Sequence, residues 1–134
     1  MANVKVRWAG DRTFIGLDYA NHAVLTSTVE DNVGIKPSEL LLVSLAACSS
    51  VDVVGILEKQ KIKLRKLEVI VTAESETDPP WTFTHFHLKY IISGKGLEAR
   101  HAENAIRLSQ DKYCSVAATV CGKATIDWDY LIEE

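Results

Sequence analysis

This chain of 134 residues is poor in several things, and each shortage removes a class of function. It has no strong excess of either charge: 15 Lys and Arg stand against 18 Asp and Glu, a formal net charge of -3, with the signs scattered along the chain. Without a basic stripe nothing can track a phosphate backbone or an anionic bilayer, so nucleic acid and membrane are excluded as partners. The opening MANVKVRWAG lacks the apolar core of a secretory signal. The most apolar stretch, 40–57, is interrupted by Ser44, Ser49, Ser50, Asp52 and Gly55, which reads as too polar to span a bilayer. A cytoplasmic protein is expected. There are only 3 cysteines, and in a reducing compartment thiols stay free, so each is either chemically active or inert rather than part of a disulfide framework. No internal repeat and no linker divides the sequence. The length then suits one domain with a real core.

What is present alternates between two periods. Val4, Val6 and Trp8 alternate with Lys5 and Arg7, the pattern of a half-buried strand, and Gly10-Asp11 turns the chain. Two further short strands, 13–19 and 23–28, separated by the polar residues 18–22, complete an antiparallel meander. Gly34 and Pro37 break the pattern, and a proline is well tolerated in the first turn of the helix predicted over 38–60. That helix is apolar almost all round and must be buried on most faces. A sheet covers one side in so small a domain, so the other is expected to meet a second copy in a homodimer. Leu67, Val69, Val71 and Ala73, then Asp78-Pro79-Pro80, then Phe86, Leu88, Tyr90 and Ile92 read as a hairpin. A second helix follows over 97–112, with Ala102, Ala105, Ile106 and Leu108 on its apolar side. Ala124, Ile126, Trp128 and Tyr130 form a last strand. The fold class is α+β.

Two cysteines occupy unlike settings. Cys48 lies deep in LLLVSLAACSSVDVVGIL, and Cys114, in SQDKYCSVA, opens a helical segment of its own. A buried cysteine alone is usually a small hydrophobe, but a second one supplies the partner that traps a sulfenic acid. The thiolate is the nucleophile, and burial disfavours it, so a nearby cation is expected. Asp52, one turn after Cys48 on the same helix face, would oppose the thiolate unless paired, and is expected to hold a base or cap neighbouring backbone.

The combination of GIKPSELLLVSLAACSSVDVV with the later DKYCSVA resembles the OsmC/Ohr family of thiol peroxidases, and in particular its YhfA-like branch, over nearly the whole chain. The resemblance implies an OsmC-like fold in which antiparallel sheets surround a long buried central helix, and an intertwined dimer with a thiol site in each half at the subunit interface. It also implies reduction of organic hydroperoxides: Cys48 attacks, Cys114 resolves the sulfenic acid as a disulfide, and an external dithiol restores the pair. No cofactor is implied. In the family an arginine from the N-terminal strands and a glutamate at the start of the central helix surround the first thiol. Aligned on Ala-Ala-Cys, that glutamate position carries Ser38, with Glu39 one place later and, nine residues from Cys48, about half a turn around the helix from it. Arg12, at a turn, is preferred over Arg7 for the arginine. The site residues are therefore Cys48, Cys114, Arg12 and Glu39.

Other candidates have plainer explanations. Lys112 complements a helix end, Cys121 matches no family position, and Trp81, Phe83 and Phe86 serve packing as readily as a substrate entrance. His85 and His87 alternate on one strand, but a metal site needs three or four ligands and no third lies nearby in sequence. Two readings stand side by side. One is a peroxidase for small apolar hydroperoxides; the other is a weakly active or non-catalytic stress-related dimer that binds an apolar small molecule, motivated by Ser38.

Overall fold

Alternation in the first segment produces the meander expected of it. Strands β1 (Lys5–Trp8), β2 (Thr13–Leu17) and β3 (Ala23–Ser27) pair antiparallel in that order. The first turn uses positive φ at Gly10 and Asp11 (103° and 44°), and the second is tied by Asp18, which accepts the backbone N–H groups of Ala20 and His22 at 2.9 Å each. Gly34 approaches β3 so closely that a Cβ there would lie 2.6 Å from the Leu25 carbonyl oxygen, which no side chain tolerates. The chain next enters α1 (Pro37–Lys59).

The computed structural model describes residues 2–134 and contains two compact units, one ending at Leu41 and the other covering Leu42–Glu134. The meander belongs to the first. In the second, β4 (Lys63–Ser75) and β5 (Phe83–Lys95) form the long antiparallel hairpin, with every second residue of the stretch Phe86, Leu88, Tyr90 and Ile92 buried. Leu45, Ser49, Val53 and Leu57 of α1 are buried with them, a stripe at a spacing of four residues.

Several expectations change here. Within one chain α1 is buried along that single stripe, because one sheet covers one side, and Val43 and Val51 remain 49% and 73% exposed. By length and composition α1 is also apolar enough to cross a bilayer, contrary to the reading of its serines as disqualifying, although its buried stripe is occupied by the core. The second helix is not continuous. It runs as α2 (Ala99–Leu108), widens into a π turn (Ser109–Tyr113), breaks at the extended residue Cys114 and restarts as α3 (Ser115–Val120). That crossover carries the chain back, so β6 (Thr125–Glu133) pairs parallel to β5, and the second sheet is mixed where antiparallel sheets were expected.

Candidate functional site

The break at Cys114 is what builds a site. With φ -77° and ψ 107°, Cys114 leaves the helical path, and its N–H is caught by the Ser109 carbonyl at 2.8 Å. Its sulfur caps α3 by accepting the Ala117 N–H at 3.4 Å. It is buried, whereas Cys48 on α1 is half-buried and Cys121, at the end of α3, is exposed. All three thiols are free.

Cys48 and Cys114 are brought together across 66 residues of sequence, close enough for each thiol to shift the proton affinity of the other. The Cys48 sulfur also faces the Ser115 hydroxyl at 3.9 Å and the backbone N–H groups of Val116 and Ser115. Burial pushes the Cys48 thiol up, but the Val116 N–H, the Cys114 thiol and the Ser115 hydroxyl and N–H together outweigh it, holding Cys48 below the ordinary 9.0. Cys114 moves the opposite way. Burial first, then its hydrogen bond and charge interaction with Cys48, push it to about 11, against the opposing N–H groups of Ala117 and Val116. The pair is thus split into one thiol favoured as thiolate and one kept protonated.

The donors that favour the Cys48 thiolate are two main-chain amides, a hydroxyl and a thiol, all in the second unit. Arg12 and Glu39 both lie in the first unit. Arg12 occupies the β1–β2 turn, exposed, with its N–H on Asp31 Oδ2 at 2.8 Å, and Glu39 is exposed in the first turn of α1. Ser38, also in that turn, is half-buried. Lys112 sits with its ammonium 5.4 Å from the Tyr113 ring centre.

Asp52 holds neither a base nor backbone: its Oδ2 accepts the Ser109 hydroxyl at 2.9 Å. Behind it lies a buried polar group of Ser49, Ser109 and Tyr90, joined by Gln110, that the sequence reading passed over. The available signal was a serine at a core position of each helix, Ser49 in the stripe of Leu45 and Val53, and Ser109 in that of Ala102 and Ala105. One turn after Cys48, a cleft of about 460 Å³ opens between Val51, Asp52, Ile56, Leu108 and Tyr113.

The histidines are also not where an isolated strand would leave them. Parallel pairing with β6 sets Asp127 opposite His87. Asp127 Oδ1 lies 2.6 Å from His85 Nε2 and 2.9 Å from His87 Nδ1, and Asp129 lies 3.4 Å from His87 Nε2. Acids do lie nearby, but among the described residues no group of three or more such side chains is arranged to hold a metal ion.

With a thiol pair joining α1 to the α2–α3 break, comparison with known proteins becomes decisive. The family model for OsmC-like protein matches residues 30–129. The chain belongs to the OsmC-like family. Protein YhfA of Escherichia coli K12 is 34% identical over 113 residues, 84% of each chain. A hypothetical protein from Aquifex aeolicus is 29% identical with a TM-score of 0.85, covering 100% of this chain and 98% of that one. The organic hydroperoxide resistance protein OhrB of Bacillus subtilis, 15% identical, shares the OsmC-like fold at a TM-score of 0.65 over 97% of both chains.

Proposed function

We propose that this OsmC-like chain is a cysteine-based peroxidase for small apolar hydroperoxides, acting in peroxide defence. The observation that carries the reading is the split pair: Cys48 held toward its thiolate by amide donors, beside a Cys114 that burial and Cys48 push toward its protonated form. A fold shared with an organic hydroperoxide resistance protein supports it.

The steps balance without a cofactor. The Cys48 thiolate attacks the distal oxygen of the hydroperoxide; the S–O bond forms, the O–O bond breaks, and the alkoxide leaves as alcohol after taking a proton. Cys48 is then a sulfenic acid. Cys114 attacks the Cys48 sulfur, forming the S–S bond; the hydroxyl leaves and takes up the thiol proton as water. Oxidation of Cys48 also removes the thiolate whose charge and hydrogen bond raised Cys114, so the second thiol becomes easier to ionise when it is needed. An external dithiol reduces the disulfide by exchange.

Val51, Ile56 and Leu108, in the cleft one turn along α1 from Cys48, favour an alkyl group over water, which is the basis for preferring organic peroxides. A homodimer would cover the exposed Val43 and Val51 of α1. Arg12 and Glu39 enter this reading as auxiliary charges carried over from the family pattern. Arg12→Ala is expected to slow peroxide reduction, and full reactivity in that variant would remove it from the site.

The direct test is disulfide formation after one equivalent of cumene hydroperoxide. Cys48→Ser is expected to abolish turnover, while Cys114→Ser consumes one peroxide per chain and stalls as a sulfenic acid. Equal activity in all three proteins would refute the cycle. Ser38 at the family glutamate position favours a second reading, a non-catalytic dimer binding an apolar molecule, for which slow, non-stoichiometric oxidation is the expected result.

A further inference from the structure

The buried polar group beside the thiols is centred on Ser109. Ser109 has one hydroxyl proton and three acceptors in reach: Asp52 Oδ2 at 2.9 Å, Ser49 Oγ at 2.9 Å and the Ser49 carbonyl at 3.3 Å. A carboxylate is the strongest acceptor of the three, so that proton belongs to Asp52. The Ser49 oxygen also accepts from the Gln110 amide at 3.3 Å, and its hydroxyl shares a hydrogen bond with that of Tyr90 at 2.5 Å. Gln110 also donates to Tyr90 at 2.9 Å. The chain links Tyr90, Ser49, Ser109 and Asp52, with no buried side-chain polar atom left over among the described residues.

Local geometry explains why this chain bears on Cys114. Ser109 and Gln110 are consecutive, yet both reach Ser49. Neighbouring side chains on an α-helix diverge by about 100°; here the π turn that begins at Ser109 accommodates the pair, as such turns do at functional positions. The same Ser109 that ends in Asp52 through its hydroxyl holds the Cys114 N–H through its carbonyl. Ser49, on the other side, adjoins Cys48 in α1. The two thiol-bearing segments are therefore fastened to one another by a single set of hydrogen bonds, one residue from Cys48 and through one main-chain bond from Cys114.

We infer that the chain Tyr90–Ser49–Ser109–Asp52, with Gln110, positions the second thiol: it sets the separation of Cys114 from Cys48 and so the ease of disulfide closure. These are positioning residues, since none touches the reacting sulfurs or a peroxide. The inference rests on the proposed two-cysteine cycle, but its test does not need peroxide.

The equilibrium between dithiol and disulfide would be measured against a reduced and oxidised glutathione couple, by mass spectrometry, for the natural protein, Ser109→Ala, Tyr90→Phe and Ser109→Thr. Circular dichroism confirms folding in each. In Ser109→Ala and Tyr90→Phe the effective concentration of the two thiols is expected to fall roughly ten- to hundred-fold, the scale of a misplacement of about 1 Å. Ser109→Thr, which keeps the hydroxyl, should restore closure. Tyr90→Phe keeps the test open should Ser109→Ala fail to fold. Unchanged closure in a folded variant, or no Cys48–Cys114 bridge in the natural protein, overturns the inference. If closure is lost in the variants while the natural protein ignores hydroperoxides, the peroxidase reading fails and the positioning role stands.

Discussion

At Cys48 the outcome is decided by which of two opposing effects is larger. Burial disfavours a thiolate, and four donors favour it; the donors win, so reaction with iodoacetamide should rise with pH about a midpoint below 9.0. Val116→Pro deletes one amide donor and adds no charge. A hydrogen bond to a charged group contributes about 1.5–3 kcal/mol, so the Cys48 midpoint should rise by about one to two pH units. No rise would mean that the amide is not what holds the thiolate. Cys114 should titrate near 11, and in Cys48→Ser its midpoint should fall, since the partner that raised it is gone. A fixed midpoint would leave burial as the sole cause.

Those residues show where the sequence is transparent and where it is opaque. The two cysteines stand out by setting and motif, whereas the groups that activate Cys48 are largely main-chain amides whose side chains, Ser115 and Val116, carry no signature. A cation was sought because side chains are what a sequence displays. Ser49 and Ser109 were visible as polar residues in apolar stripes, but their meeting depends on a helix break that no periodicity announces.

At the scale of elements, periodicity was enough to find the meander and α1 within a residue or two and the hairpin within three or four, because a half-buried strand and a core helix impose their periods on apolar residues. The crossover was not found in the same way. The residues 97–112 keep helical spacing through the π turn, and nothing local reports that β6 returns parallel to β5. That pairing produces the His87–Asp127 contact, whose pH dependence can be worked out by sign. The hydrogen bond from Asp127 leads the interactions that hold His87 above its ordinary 6.5, so its stabilisation is full below 6.5 and is lost as pH rises through the raised value. The His87 hydrogen bond likewise leads those that hold Asp127 below 3.8, so its stabilisation is present above 3.8 and is lost as pH falls through the lowered value. The natural protein should therefore exceed Asp127→Asn in melting temperature most clearly between pH 3.8 and 6.5. Exposure and salt screening keep the difference small, and a pH-independent difference would contradict the pairing. In α1, Leu57→Ala should cost about 2–5 kcal/mol by denaturant unfolding, since that side chain is fully buried.

For the whole molecule, the expectation of a second copy rests on α1. A helix apolar on nearly all sides, with one stripe occupied, leaves Val43 and Val51 toward water in a single chain. Sedimentation equilibrium should report a dimer, and Val51→Asp should shift it toward monomer. A monomeric natural protein would remove the dimer from the proposed function. The α+β class was legible because whole stretches of the chain carry consistent periods, and the family was legible because its motif spans both halves of the thiol pair.

The measurement to make first is stopped-flow oxidation of fully reduced protein by cumene hydroperoxide and, separately, hydrogen peroxide, with thiols and disulfides counted by mass spectrometry. Rapid loss of two thiols per chain, a Cys48–Cys114 bridge and a preference for the organic peroxide are expected. Slow or non-stoichiometric oxidation, with Cys48 and Cys114 still reduced, would contradict the peroxidase assignment.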